Sequence, residues 1–228
     1  TRSGAASFVN WGAVRVDGCI LVNDVTGKVV TPTMDDTHSV PPSPKNPFDG
    51  EFAVDGTRYL TAAAAGLNGG TITPLGSSIN TKAGFSMIEY AGTDSGSSQT
   101  IPHGLNEPPV LWMWKNLTQA SQWVVYTTAI DGSSDYLMLN STNAAASGVS
   151  PWSTLPTSSV VTVGTNNTDT CNAGDIYIMY AWHNVPGYCK IGSYTGNGSG
   201  NGPYVELGFE PAFIMMKEAT DSSTNWVI

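Results

Sequence analysis

Residues 109–115 read Pro109-Val110-Leu111-Trp112-Met113-Trp114-Lys115, and the same order of residue types returns at 211–217 as Pro211-Ala212-Phe213-Ile214-Met215-Met216-Lys217. The match continues on both sides, since residues 87–92 resemble 191–196 and residues 123–125 resemble 226–228. Self-similarity at a nearly constant spacing indicates a repeated structural unit. The sequence therefore predicts one full unit, followed by a second copy that covers only part of it.

The side chains of residues 111–114 alternate between two faces of the predicted strand. Trp112 and Trp114 would point one way and Leu111 and Met113 the other, so both faces are apolar. A strand that is apolar on both faces is covered on both sides, by core, by a neighbouring domain or by a partner chain. We interpret the two tryptophans as packing residues, because Ile214 and Met216 replace them in the second copy.

The composition limits the function classes. Charged residues make up only 12% of the 228 residues, and Lys+Arg number 9 against 18 Asp+Glu, for a net charge of −9. A chain this acidic has no general attraction for phosphate, so we expect neither nucleic acid nor an anionic membrane surface as a partner. No apolar run approaches the roughly 20 residues that a membrane-spanning helix needs.

Short strand-like segments separated by turn residues dominate the chain after Gly84. We predict strands at 85–90, 110–115, 123–128, 136–139, 160–163, 176–182, 188–194, 204–207 and 212–217. This spacing, without amphipathic helices, predicts an all-β fold, a jelly-roll or concanavalin-like β-sandwich with a partial second repeat.

Three regions follow from this pattern. Residues 1–82 form an N-terminal β and loop region with a Pro-rich linker at 31–47, residues 83–190 the first β-sandwich repeat, and residues 191–228 the incomplete second repeat. Within the first region, Asp17-Gly18 lies between strand-forming residues and predicts a β-hairpin. Residues 71–73 are expected to add a brief strand.

No catalytic motif is present. The three histidines form no metal-binding pair, and the turn residue His103 is interpreted as structural. Asp35, Asp36 and Asp49 could supply oxygen ligands for calcium, but we interpret them as solvated loop acids, so no metal or cofactor is expected. The three cysteines are interpreted as buried apolar residues. We predict that the chain is not an enzyme.

The seven tryptophans leave a carbohydrate-binding function open. Trp11, Trp152 and Trp182 lie near predicted turns or strand ends, where an indole could stack on a sugar ring. The glycosylation-type tripeptide Asn140-Ser141-Thr142 is interpreted as a chance match in a chain rich in these residues. A polysaccharide-cleaving activity would need a carboxylate pair that the sequence does not reveal.

The order of these segments resembles an uncharacterised domain of marine bacteriophage tail and tail-fibre proteins. The resemblance covers residues 84–228, and the segment around Arg15-Val16-Asp17-Gly18 is similar to one found upstream in such proteins. The residues that carry it are Gly84-Phe85-Ser86-Met87-Ile88-Glu89-Tyr90, Ile101-Pro102-His103-Gly104-Leu105, residues 109–116, 123–126, 136–140, 160–164 and 174–182, and then Lys190-Ile191-Gly192-Ser193-Tyr194-Thr195-Gly196.

The resemblance implies a non-enzymatic structural subunit of a phage particle or surface filament, located in the virion tail or surface and outside cells. Expected partners are further copies of the chain, in an oligomer or filament, other virion proteins, and a host glycan. We expect residues 204–217 to be completed by another chain, through strand addition from residues 8–22 of a neighbour. The interface candidates are Phe213, Ile214, Met215, Met216, Val14, Val16 and Ile20. The alternative is a carbohydrate-binding module that recognises host surface polysaccharide.

Overall fold

A computed structural model describes residues 15–16, 19–20, 51–93, 98–148, 154–164 and 167–228. Within these ranges the chain contains thirteen strands and no helix, so no membrane-spanning helix occurs there. The strands are β1 (Arg15–Val16), β2 (Cys19–Ile20), β3 (Phe52–Val54), β4 (Thr57–Tyr59), β5 (Gly76–Asn80), β6 (Phe85–Ala91), β7 (Gln99–Pro102), β8 (Leu111–Asn116), β9 (Val124–Thr127), β10 (Asp135–Met138), β11 (Ala146–Ser147), β12 (Val160–Val163) and β13 (Ile176–Trp182).

Nine of the strands form one mixed sheet in the order β11-β10-β9-β8-β13-β6-β5-β3-β4. All neighbours are antiparallel except β3 and β5, which run parallel. β13 is the central strand, and its Met179 lies opposite Ile88 of β6 and Trp114 of β8. Strands from both sides of residue 82 therefore share one sheet.

The two faces of this sheet bury different sets of side chains, as the alternation in β8 predicts. Trp112 and Trp114 are 2% and 0% exposed and belong to the main core, whereas Met113 belongs to a second cluster on the opposite face. The second cluster also contains Val125 and Leu137, with half-buried side chains packed against it: Leu111, Trp123, Leu139, Ala145, Tyr180, Trp182 and Trp226.

The main core is closed by a second, smaller layer. β7 and β12 pair antiparallel, and their Ile101, Val161 and Val163 are fully buried in the same cluster as Trp112 and Trp114. This arrangement confirms the all-β class and is consistent with a β-sandwich. Its two layers are very unequal, because nine strands face only two.

The predicted N-terminal hairpin is confirmed by its flanking residues. β1 and β2 pair antiparallel, with Val16 opposite Cys19 and Arg15 opposite Ile20. Asp17-Gly18 themselves lie outside the described residues, as does the Pro-rich linker at 31–47.

Three predicted strands in the C-terminal part of the chain are wrong. Residues 188–194 and 204–207 form no strand, and 212–217 forms only one isolated bridge, between Met216 and Val227. Their apolar residues favour strands, but a strand persists only where a neighbour completes its hydrogen-bond ladder. The brief strand expected at 71–73 is also absent; Thr71 N and Ile72 N instead donate to Thr100, 28–29 residues further along the chain.

Candidate interaction surface

The C-terminal segment, residues 191–228, repeats the pairing of the main sheet in register. In the first copy Trp114 of β8 lies opposite Val124 of β9. The matching residues of the second copy are Met216 and Val227, and these two form the antiparallel bridge. The sequence repeat is therefore also a structural repeat at this pair.

A lysine completes the correspondence. Lys115 Nζ donates to Ser121 Oγ at 3.3 Å and to Ser121 O at 2.9 Å, which ties down the loop between β8 and β9. In the second copy, Lys217 Nζ donates to Thr224 Oγ1 at 3.1 Å. Lys217 and Thr224 match Lys115 and Ser121 in the repeat. In both copies, therefore, the ammonium group of the lysine at the matching position closes the connection between the two paired segments.

The two copies differ in what lies on the other edge of this strand. In the first copy β13 separates β8 from β6 and pairs with both. In the second copy the residues matching β6 and β8 lie in 191–196 and 212–217, and among the described residues no strand pairs with either. Tyr194 Oη instead donates directly to Met216 Sδ at 3.7 Å. We call the edge of 212–217 that faces away from Val227 the open edge.

The open edge lies within a surface rich in exposed apolar side chains. Phe213 is 67% exposed and Ile214 is 50% exposed, although residues at the matching positions of β8, Leu111 and Trp112, are half-buried and 2% exposed. The other large exposed apolar side chains of the segment are Tyr194, Tyr204, Val205, Met216, Val227 and Ile228. A concentration of apolar side chains of this kind is typical of an interaction site.

The C-terminal segment is anchored to the main sheet. Trp226 Nε1 donates to Met138 O at 3.0 Å and its ring packs on the second cluster. Ala145 N donates to Ala219 O at 2.7 Å. These contacts fix the segment at the β10 and β11 side of the sheet.

Residues 54–228 match the family described as Domain of unknown function (DUF7483). The chain belongs to this family. The matched range contains the nine-stranded sheet from Val54 onward and the whole C-terminal segment, so the second copy is part of the DUF7483 domain. No curated protein and no solved structure matches the chain.

The predicted interface residues of this DUF7483 protein fall into two groups. In the C-terminal group, Phe213, Ile214 and Met216 are exposed and Met215 is half-buried. In the N-terminal group, Val16 lies in β1 and Ile20 in β2, and the structure describes only their backbones. Val14 lies outside the described residues.

Of the three carbohydrate candidates, only Trp182 lies within the described residues. Trp11 and Trp152 lie outside the described residues. Trp182 is half-buried, and its ring centroid lies 5.0 Å from that of Phe85 and 6.1 Å from that of Tyr180. These contacts occupy much of the indole. Trp226, which the sequence marks only as a repeat match to Trp123, lines a cleft beside the turn after β10.

His103 is a buried structural residue. Leu105 N–H donates to Nδ1 at 3.2 Å, so Nε2 carries the proton and donates to Thr157 O at 3.1 Å. Burial lowers the pKa of His103 to about 4, which keeps the ring neutral near pH 7. Both nitrogens are therefore occupied by backbone groups.

Two further expectations concern metals and cysteines. The described residues contain no group of three or more His, Cys, Asp or Glu that could hold a metal ion. Asp35, Asp36 and Asp49 lie outside the described ranges. Cys171 is a buried free thiol in the main core, as expected, and Cys189 is a half-buried free thiol.

Proposed function

We propose that this chain is a non-enzymatic structural subunit that assembles with further copies of itself through the C-terminal segment. The supporting observation is the open edge of residues 212–217: Met216 and Val227 keep the register of Trp114 and Val124, and no strand of the described residues takes the position that β13 has beside β8. The resemblance to phage tail and tail-fibre domains indicates a virion or surface filament as the assembly in which the subunit works.

The occupant of the open edge is the N-terminal segment, residues 8–22, of a second copy. This segment contains β1 and β2, which pair only with each other among the described strands and so retain outer edges. Its fifteen residues are long enough to cover the six residues of 212–217, and Val14, Val16 and Ile20 supply apolar side chains. An added strand would gain main-chain hydrogen bonds, with side chains providing specificity.

The energies favour a strand over a purely apolar contact. Phe213, Ile214 and Met216 are about half exposed, so completing their burial contributes roughly 2–5 kcal/mol, given about 1.5–3 kcal/mol for each fully exposed side chain. Association costs roughly 4–15 kcal/mol in lost motional freedom. Side-chain burial alone therefore falls short of that cost, and a hydrogen-bonded ladder along the open edge supplies the remainder.

The assembly is head to tail, because the donor and acceptor segments are different surfaces of the same chain. A heterologous contact of this kind forms a ring if its rotation closes and an open filament if it does not. The mechanism therefore accounts for a filament without any second protein component.

The test is the molar mass in solution as a function of protein concentration, measured by light scattering for the unmodified chain and two variants. The chain has a mass of 24.0 kDa, and we expect multiples of it that grow with concentration. Ile214→Asp places a charge at the open edge and should reduce the mass to that of one chain. Leu60→Asp, at a residue that is 86% exposed on the main body, is the matched control and should leave assembly unchanged. The proposal would be contradicted if the unmodified chain stayed monomeric at all concentrations, or if both variants changed the molar mass equally.

A further inference from the structure

A cleft of about 660 Å³ lies between the turn after β10 and the end of the C-terminal segment. One wall comes from the first copy, and the other is Asn225 and Trp226 of the second copy. The residues that line it are Leu139, Asn140, Ser141, Thr142, Asn225 and Trp226. The cleft therefore forms only where the two copies meet.

The lining is polar but contains no ionisable side chain. Two amides and two hydroxyls offer both donors and acceptors, and one indole offers an apolar ring. An ionic ligand would find no counter-charge there, and a purely apolar ligand would leave the amides and hydroxyls unpaired. A neutral polyhydroxylated molecule meets both conditions, because its hydroxyls pair with the polar groups while its C–H face contacts the indole.

Much of the hydrogen-bonding capacity in the cleft is unused by the described part of the chain. Asn140 Oδ1 accepts from Trp123 N at 3.2 Å, which leaves its amide hydrogens available. Ser141 Oγ accepts from Asn143 N at 3.1 Å and retains its own proton. The side chains of Thr142 and Asn225 have no hydrogen-bond partner within the described ranges.

The indole is held in place before any ligand binds. Its Nε1 donates to Met138 O at 3.0 Å, and the ring packs on the second cluster. Leu139 N donates to Trp123 O at 3.0 Å, which fixes the opposite wall. A preformed aromatic surface lowers the entropic cost of binding.

We propose that this cleft binds a neutral oligosaccharide, with a sugar ring against the indole of Trp226 and hydroxyl groups on the amides of Asn140 and Asn225. The site is distinct from the tryptophans that the sequence suggested for this role. It is also independent of the open edge, because Phe213 and Ile214 do not line it.

The test is an array of neutral glycans probed with the full chain, followed by calorimetry with the best-bound oligosaccharide. We expect Asn225→Ala to weaken binding at least threefold and Trp226→Ala at least tenfold. Asn225 is exposed and its side chain is unpaired in the described structure, so its variant keeps the fold even if the Trp226 variant does not. Asn201→Ala, also at an exposed asparagine but outside the cleft, is the control and should bind normally.

Three results would overturn the proposal. One is that no neutral glycan on the array is retained. Another is that Asn225→Ala binds as tightly as the unmodified chain, since the Trp226 effect would then reflect the fold alone. Heparin serves as an anionic probe, and binding of heparin in preference to neutral glycans would likewise contradict an uncharged cleft.

Discussion

Met216 and Val227 exchange two backbone hydrogen bonds, from Met216 N to Val227 O at 2.8 Å and from Val227 N to Met216 O at 2.9 Å. This pair matches Trp114 and Val124 of the main sheet. Because neighbouring residues of a strand direct their backbone groups to opposite sides, the N–H and C=O of Met215 point to the open edge. Next to this bridge, the amide of Met215 is therefore directed away from Val227.

Hydrogen exchange should separate the two edges of this strand. The amides of Met216 and Val227 should be protected at every protein concentration, since their bonds are internal. The amide of Met215 should exchange quickly in dilute solution and become protected as concentration rises, because assembly provides its acceptor. Mass spectrometry or NMR of exchange at two concentrations checks this. Protection of Met215 that is independent of concentration would show that the open edge is already paired within one chain.

The main core should be sensitive to the volume of the indole at position 114 and tolerant of losing its N–H group. Trp114 is fully buried and its ring meets that of Tyr126 edge-on at 5.3 Å. We expect Trp114→Ala to lower the free energy of unfolding by about 3–5 kcal/mol through the cavity it leaves. Trp114→Phe should cost less than Trp114→Ala, because it leaves a smaller cavity and removes a donor, Nε1, that has no hydrogen-bond partner in the described structure.

Urea unfolding of both Trp114 variants gives these values. Leu60→Ala, at an exposed position, serves as the reference and should lie within about 0.5 kcal/mol of the unmodified chain. Equal losses for Trp114→Ala and Trp114→Phe would contradict this, because the phenyl ring would then recover none of the packing of the indole.

Glu89 should make stability depend on pH. It is fully buried on β6, and its carboxylate oxygens have no hydrogen-bond partner in the described residues. Across the sheet, Glu89 lies opposite Ile178 of β13, and Ile178 lies opposite Lys115 of β8. Lys115 is therefore the nearest basic residue in register, but its ammonium group donates to Ser121 O. Burial raises the pKa of Glu89 from an ordinary value of 4.5 to about 7.

Between pH 4.5 and about pH 7, Glu89 keeps its proton in the folded chain but has lost it in the unfolded chain. The free energy of unfolding therefore falls as pH rises through this range. Glu89→Gln carries no such loss. We expect its stability relative to the unmodified chain to improve by up to roughly 3 kcal/mol across this window. Denaturant titrations of both proteins from pH 4 to pH 8 measure the difference. A difference that is constant with pH would contradict the assignment to Glu89.

The polar network around Asp175 should stabilise the fold at neutral pH. Its carboxylate accepts from Asn116 Nδ2 at 2.9 Å, from Gln119 Nε2 at 2.9 and 2.8 Å, and from Asn172 Nδ2 at 3.2 Å. Burial alone would raise the pKa of Asp175, but these donors outweigh it and hold the pKa below the ordinary 3.8. The contribution is therefore present above pH 3.8 and is lost as pH falls through the lower folded value.

We expect Asp175→Ala to destabilise the chain by roughly 2–3 kcal/mol at pH 7, since it leaves several buried donors unpaired. Thermal or urea unfolding at pH 7 measures the loss, and Glu107→Ala, at an exposed acid, is the control. A loss no larger than that of the control would show that the donors find water or other acceptors.

Local sequence patterns predicted four strands well, three in the main sheet and one in the smaller layer. β6, β8, β12 and β13 were expected within a residue or two of their observed bounds, because each combines β-branched or aromatic residues with flanking turn residues. β5 and β7 were missed, since Gly76-Ser77-Ser78 and the proline at 102 are poor strand formers. Their partners in the sheets override that local preference.

Local patterns could not predict how segments far apart in the sequence are placed beside one another. The parallel pairing of β3 with β5, the sheet order and the cleft all depend on contacts between residues far apart in sequence. Asn140-Ser141-Thr142 carried no signal of its position beside Trp226, which the fold brings next to Met138. The C-terminal strands were overpredicted for the converse reason, because their apolar residues favour a strand that no neighbour in the described chain completes.

The most direct test of the assembly mechanism is photo-cross-linking from position 213, with a benzophenone amino acid in place of Phe213 and an equal mixture of ordinary and ¹⁵N-labelled chains. Phe213 is 67% exposed, and an aromatic replacement there preserves its character. Our account predicts cross-links between chains of different isotope content, with residues 8–22 as the partner peptide. Cross-links confined to a single chain, or directed to other segments of the neighbour, would contradict it.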